Sequence, residues 1–190
     1  MTLQDLILET IRDPASAARY LMGWNVPRRA LYEGILAVAA LNTLLGSAMY
    51  LAAPDDVLAL PLFGTPFALF VVIAGTFVIM ANLFYWGGRA MGGTGEVNDL
   101  LMLIIWLQGM RVLAQLVIVT MSFIAPGIAA LMGIGVFFYG LYILIQFLKE
   151  AHGFESAMQS IGLLIGVAAG LMIGMMFLLT LAGVSVEGLA

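Results

Sequence analysis

The chain has no cysteine among its 190 residues and one histidine, His152. Disulfides, thiolate metal sites and cysteine nucleophiles are thereby excluded, and no all-protein site needing two imidazoles can form. Charge is scarce as well: 9% of the residues are charged, against about 25% in ordinary soluble domains. The seven basic residues are scattered, without the basic stripe that a nucleic-acid partner requires. What fills the chain instead is apolar, 63% of its residues being hydrophobic. A globule of this size cannot hide so much apolar surface, so the solvent must be lipid. The net charge of −4 means little in such a chain, because orientation follows the distribution of charge.

Five apolar segments are each long enough to cross a bilayer, which takes about 20 helical residues. They run roughly over 30–53, 66–86, 99–123, 127–148 and 157–182. The expected fold is all-α: a polytopic membrane protein of five transmembrane helices with a short amphipathic N-terminal segment. Residues 1–29 form the lead-in, 30–182 the membrane domain and 183–190 a short external tail. Pro54, Pro61 and Pro66 break the chain between spans one and two. Pro126-Gly127 forces a tight turn between spans three and four, since proline cannot continue the preceding helix. Phe84-Tyr85-Trp86 marks a membrane interface at the end of span two.

In the lead-in, Leu3, Leu6, Ile7 and Ile11 share one helical face, with Asp5, Glu9 and Arg12 elsewhere. Those charges and Asp13 interrupt any apolar run, so the first thirty residues do not read as a signal peptide. Asp13 reads as an N-cap with Pro14 at the first helical position, opening a second short helix through about Met22. Arg19, Arg28 and Arg29, with Trp24 and Tyr32, fit a headgroup-level anchor. An ordinary lead-in helix is expected here rather than a partner-binding arm.

Charge placement sets the orientation. Arg12, Arg19, Arg28, Arg29, Arg89 and Lys149 fall on one side, whereas the other side carries Asp55, Asp56 and Glu187 and no Lys or Arg. The positive-inside rule puts the N-terminus in the cytoplasm and the C-terminus outside. Asp55-Asp56 after Pro54 is most simply turn chemistry.

Span five carries a packing signal. Gly162, Gly166, Gly170 and Gly174 recur every four residues, with Ala169 beside them, leaving a groove in which a second backbone can approach closely. Another span of the same chain is the expected occupant, and a dimer interface is the alternative.

Span three carries a polar stripe. Gln108, Arg111 and Gln115 share a face, with Ser122 a heptad further on. Arg111 lies roughly 18 Å along the helix from Asp99, near mid-bilayer. No carboxylate in any span shares that depth, because Glu33, Asp99 and Glu150 all fall near the cytoplasmic interface. Asn42, Asn82, Tyr139, Tyr142 and Gln146 are the neutral acceptors available. An intramembrane charge is a functional hypothesis by default. The options are internal packing, a lipid headgroup site, a substrate path or a partner contact. A conducting path is the weakest of these, because transport usually needs titratable or coordinating groups along a route and here one charge is available.

Two loops share the cytoplasmic side. Gly87-Gly88-Arg89 and Gly92-Gly93-Thr94-Gly95-Glu96 resemble a phosphate loop only superficially, with no preceding strand and no following lysine. The glycines permit turns of positive φ, and Asn98 or Asp99 is expected to cap span three. In Lys149-Glu150-Ala151-His152-Gly153-Phe154-Glu155 the histidine lacks a nucleophile and further metal ligands. It is expected to be exposed or packed within the loop. No serine with a partner base and no intramembrane aspartate pair suggests a hydrolase.

Taken in order, these features make the chain similar to a prokaryotic-type member of the YIP (Ypt/Rab-interacting protein) family of five-span membrane proteins. The resemblance covers about residues 12–182. It rests on Asp13-Pro14, the glycine loop from Gly87 to Gly95, Pro126, and Leu148-Lys149-Glu150-Ala151-His152-Gly153. It implies a membrane fold with no established reaction. Eukaryotic relatives act in traffic between endoplasmic reticulum and Golgi and engage small GTPases. Many have a long soluble N-terminal region in place of this lead-in, so a small GTPase is not an expected partner.

The sequence therefore leads us to expect a non-enzymatic membrane scaffold or accessory subunit, in a bacterial inner membrane. Membrane lipids, other membrane proteins or a second copy would be its partners, and no cofactor or metal is expected. Its loop contacts would be Arg89, Gly92, Gly93, Gly95, Glu96, Lys149, Glu150, His152 and Gly153. The alternative is a small transporter or lipid-handling protein that binds an anionic group at Arg111.

Overall fold

The computed structural model describes residues 1–52 and 65–181, and over these the chain is helical, with no strand. The elements are α1 (Leu3–Arg12), α2 (Pro14–Met22), α3 (Arg28–Ala52), α4 (Pro66–Ala90), α5 (Val97–Ser122), α6 (Pro126–His152) and α7 (Ala157–Leu181). Helices α3 to α7 each contain a stretch long and apolar enough to cross a membrane. Five spans and two short N-terminal helices are the expected architecture, and the protein is an integral membrane protein. Pro54, Asp55, Asp56, Pro61, the boundaries at residues 53 and 182, and the tail 183–190 lie outside the described residues.

Prolines open the helices where expected. Pro14, Pro66 and Pro126 each occupy the first turn, where a missing N–H costs nothing. Asp13 caps α2 by accepting the Ser16 amide at 3.1 Å. The cap of α5 differs from expectation: Glu96 is the N-cap residue, without a side-chain bond, and Asn98 and Asp99 lie inside the helix. Helices α4 and α6 also run further than their apolar runs suggest, to Ala90 and His152. Hydropathy falls at the polar residues there, whereas backbone hydrogen bonding continues past them.

Helix α5 is the hub, packing against α2, α3, α4 and α6, while α7 lies against α4 and α6. The largest fully buried side chains include Leu31, Phe84, Leu100, Leu101, Phe147 and Leu163. All sit toward the end of the bundle that carries the basic residues. Away from that end the surface is apolar: Phe67, Phe123, Leu131, Phe137 and Ile173 are exposed. This inverts a soluble protein, as expected where lipid covers the flank.

The lead-in is part of this bundle rather than an appendage on it. Thr2 and Asp5 form a capping box on α1, and the Thr2 hydroxyl and amide hold the Asp5 carboxyl below its usual range. Thr10 donates to the Leu6 carbonyl at 2.7 Å and accepts from the Trp106 indole at 2.9 Å. The Tyr139 hydroxyl donates to the Ile11 carbonyl. Ala17, Ala18 and Leu21 of α2 are fully buried, and α2 packs on α5 and α6. Arg19 pairs with Glu150 at 2.8 Å. Between α2 and α3, Asn25 adopts φ 47°, a left-handed conformation that asparagine tolerates better than most residues.

Candidate functional site

The last turn of α6 builds the most closely packed polar feature of the chain. Gly153 takes φ 64°, and its N–H bonds the Glu150 carbonyl while that of Phe154 bonds Lys149 at 3.0 Å. This is a Schellman stop, which needs a residue free to turn left-handed. It folds Phe154 back so that its ring stacks on His152, centroids 5.2 Å apart.

The opposite wall of the His152 ring is glycine. A Cβ at Gly88 would lie 2.1 Å from His152 Cε1, and one at Gly95 would lie 2.5 Å from Nδ1. One at Gly93 would meet His152 Cβ at 2.8 Å and the Gly88 carbonyl at 2.9 Å. Thr94 completes the contact, its amide donating to the His152 carbonyl at 3.0 Å. The loop between α4 and α5 and the end of α6, distant in sequence, are thus locked together through one imidazole. This explains why glycines and the histidine–glycine pair both occur: the ring needs a wall without side chains.

His152 is 1% exposed, so the exposed alternative does not hold, and the residue ends a helix rather than sitting in a loop. Its two ring nitrogens are buried without a hydrogen-bond partner; the Phe84 carbonyl faces the ring without a well-aligned bond. Among the described residues no cluster of three His, Cys, Asp or Glu side chains could hold a metal. Chemically, the arrangement is a clasp.

Of the loop residues, Gly93, Gly95 and His152 face inward, whereas Arg89, Gly92, Glu96 and Gly153 are exposed. Arg89 lies over the Tyr85 ring at 5.6 Å, Lys149 is half-buried, and Glu150 is engaged by Arg19. Gly87 and Gly88 belong to α4 rather than the loop. Gly87 marks close approach to α7, since a Cβ there would lie 2.6 Å from Leu163 Cδ1.

The polar stripe of α5 divides. Arg111 and Gln115 line a groove between α3 and α5 with Asn42, Leu45, Gly46, Met49 and Val112. Gln108 is not part of its wall; its amide oxygen is buried without a partner. Arg111 donates to Asn42 Oδ1. Of the acceptors available, the fold uses Asn42, while Asn82 donates to Val78 and Tyr139 to Ile11. Ser122 bonds its own helix at Val119.

The glycine ridge of α7 faces outward. Gly162, Gly166, Gly170 and Gly174 are exposed, and a Cβ added at Gly166, Gly170 or Gly174 would meet nothing within 4 Å. At Gly162 it would touch Met91 at 3.4 Å. The expected occupant, another span of the same chain, is therefore not there among the described residues. Helix α7 packs through Leu163 and Val167 instead, both buried. Sequence spacing gives the ridge but not the direction in which it points.

Three contacts had no signal in the sequence: Arg19 with Glu150, Thr10 with Trp106, and Tyr139 with Ile11. Each joins residues far apart in the chain whose types are ordinary at a membrane boundary. A model of the Yip1 domain matches residues 8–179 of the chain. No curated protein and no solved structure matches it.

Proposed function

From the fact that this chain belongs to the Yip1 domain family, we propose that it is a non-enzymatic membrane scaffold or accessory subunit. Its N-terminus lies in the cytoplasm, and its partners are other proteins of the same membrane, a bacterial inner membrane. The observation that carries the reading is the outward glycine ridge of α7. Side-chain-free helix faces in a bilayer gain dispersion contacts when another helix lies in them, whereas lipid tails fill such grooves less closely. Exposed Arg89 and Glu96 at the clasp offer a second contact beside it.

The orientation follows from Arg19, Arg28, Arg29, Arg89 and Lys149, gathered at the clasp end, with Arg12 and Arg111 the exceptions. Replacing Gly166 or Gly170 by isoleucine fills the ridge, and the added Cβ meets nothing within 4 Å among the described residues. Such variants should keep the wild-type melting temperature in detergent. They should also lose proteins that co-purify after extraction in a lipid-preserving system. Unchanged co-purification would sink the α7 reading.

A further inference from the structure

We propose that the groove between α3 and α5 at Arg111 is an anion site that takes a phosphate group, presented by an anionic phospholipid. Arg111 carries an unbalanced charge. A guanidinium stays protonated and offers five N–H donors, and here a single neutral acceptor, Asn42 Oδ1, is bonded to it. Among the described residues the ion pairs are Arg19–Glu150 and Arg29–Glu33, and neither reaches Arg111.

The surroundings are arranged for a ligand rather than for internal neutralisation. Asn42 is 7% exposed, and its amide donates to the Val38 carbonyl at 2.7 Å. That bond fixes the amide so that its oxygen holds one side of the guanidinium and leaves the other edge to the groove. The groove encloses ≈ 190 Å³, several times the ~30 Å³ share of a water molecule. One turn along α5, the Gln115 amide contacts Met49 Sδ at 3.3 Å. A thioether is a weak acceptor, so a phosphate oxygen would displace it readily. Arg111 and Gln115 then supply a forked donor and an amide donor on one wall, and Gly46 adds no side chain opposite.

Depth is the objection to a phosphate here, and the level of the N-terminal hairpin and the lean of Arg111 both bear on it. Tyr139, midway along α6, donates to the Ile11 carbonyl. The α5–α6 turn is short, so the middle of α6 lies beside the middle of α5, where Arg111 sits. The hairpin corner at Arg12 and Asp13 is exposed and lies at this level. Charged side chains do not stay in hydrocarbon at that cost, so headgroups or water must reach this level on the hairpin flank. Arg111 also belongs to a helix that starts at the basic end, and helical side chains lean toward their N-terminus. Its guanidinium is therefore carried along the groove toward the basic end of the bundle, where the headgroups lie. Within a bilayer the abundant anion is the lipid phosphate, and arginine engages phosphate in a two-point fork.

The test uses the full chain in phosphatidylcholine nanodiscs doped with phosphatidylglycerol, followed by native mass spectrometry of retained lipid. The wild type should hold phosphatidylglycerol, and Arg111→Gln should lose it by about tenfold or more. Arg111→Lys, with charge but no fork, should fall between them. If Arg111→Gln fails to fold, Gln115→Leu should still lower retention several-fold. Displacement by inorganic phosphate would assign the site to free phosphate as well as lipid, and persistence against it would assign the lipid alone. Equal retention by the wild type and the folded Arg111 or Gln115 variants would overturn the proposal.

Discussion

Gly88→Ala should destabilise the bundle, and His152→Ala added to it should recover part of the loss. The new methyl group would have to sit 2.1 Å from His152 Cε1 and 2.3 Å from Nε2, well inside van der Waals contact. The ring has no room to retreat, because Phe154 stacks on its other face and Gly95 closes the edge. Overpacking of this kind costs ~1–3 kcal/mol. All three nearest neighbours of a Gly88 Cβ are imidazole ring atoms, so truncating the ring removes the clash itself. The pair should therefore couple by ~1–3 kcal/mol in a double-mutant cycle. Gly93→Ala provides the contrast: its neighbours include His152 Cβ and the Gly88 carbonyl, which an alanine at 152 retains. It should not be rescued. Thermal unfolding in detergent of the two single glycine variants and their doubles with His152→Ala distinguishes a clasp around the ring from general crowding of the loop.

Phe147→Ala and Phe84→Ala should each cost ~3 kcal/mol or more. Phe137→Ala should stay within ~0.5 kcal/mol of the wild type. Phe84 and Phe147 are each 1% exposed, against 66% for Phe137. In lipid the transfer of apolar surface from water contributes less than in a soluble protein. What an alanine at a buried site forfeits is dispersion against the ring's neighbours, plus the cavity left behind. At Phe137 the lipid fills the space at once. Steric trapping or reversible unfolding in mixed micelles measures the difference, and equal losses at all three positions would mean that inside and outside are misassigned.

Much of the architecture was legible in the sequence because the membrane imposes it. Five runs of the required length, Asp13-Pro14 at the start of α2 and Pro126 at the start of α6 are local signals. Each stands for the same physics in any fold. The helix ends were less legible. Gly87, Gly88 and His152 look like loop residues by composition, yet stay helical because a neighbour's ring or the Gly153 stop governs them. The coupling of the glycine loop to His152 is non-local, and a single sequence displays its two halves without the contact between them. The α7 ridge illustrates the same limit from the other side, since glycine spacing specifies a close approach but not which helix approaches. Arg111 lies within α5. Its choice of Asn42 over four other acceptors depended on which spans are neighbours.

Whether a protein occupies the open ridge of α7 decides the scaffold reading, and the absence of cysteine makes that directly measurable. Gly166→Cys and Gly170→Cys, labelled in native membranes with a benzophenone maleimide and illuminated, report what lies against the ridge, with Phe137→Cys as the lipid-facing control. The scaffold reading predicts a discrete protein adduct from positions 166 and 170, either a second copy or another membrane protein, and none from 137. Lipid adducts alone at all three positions would contradict it.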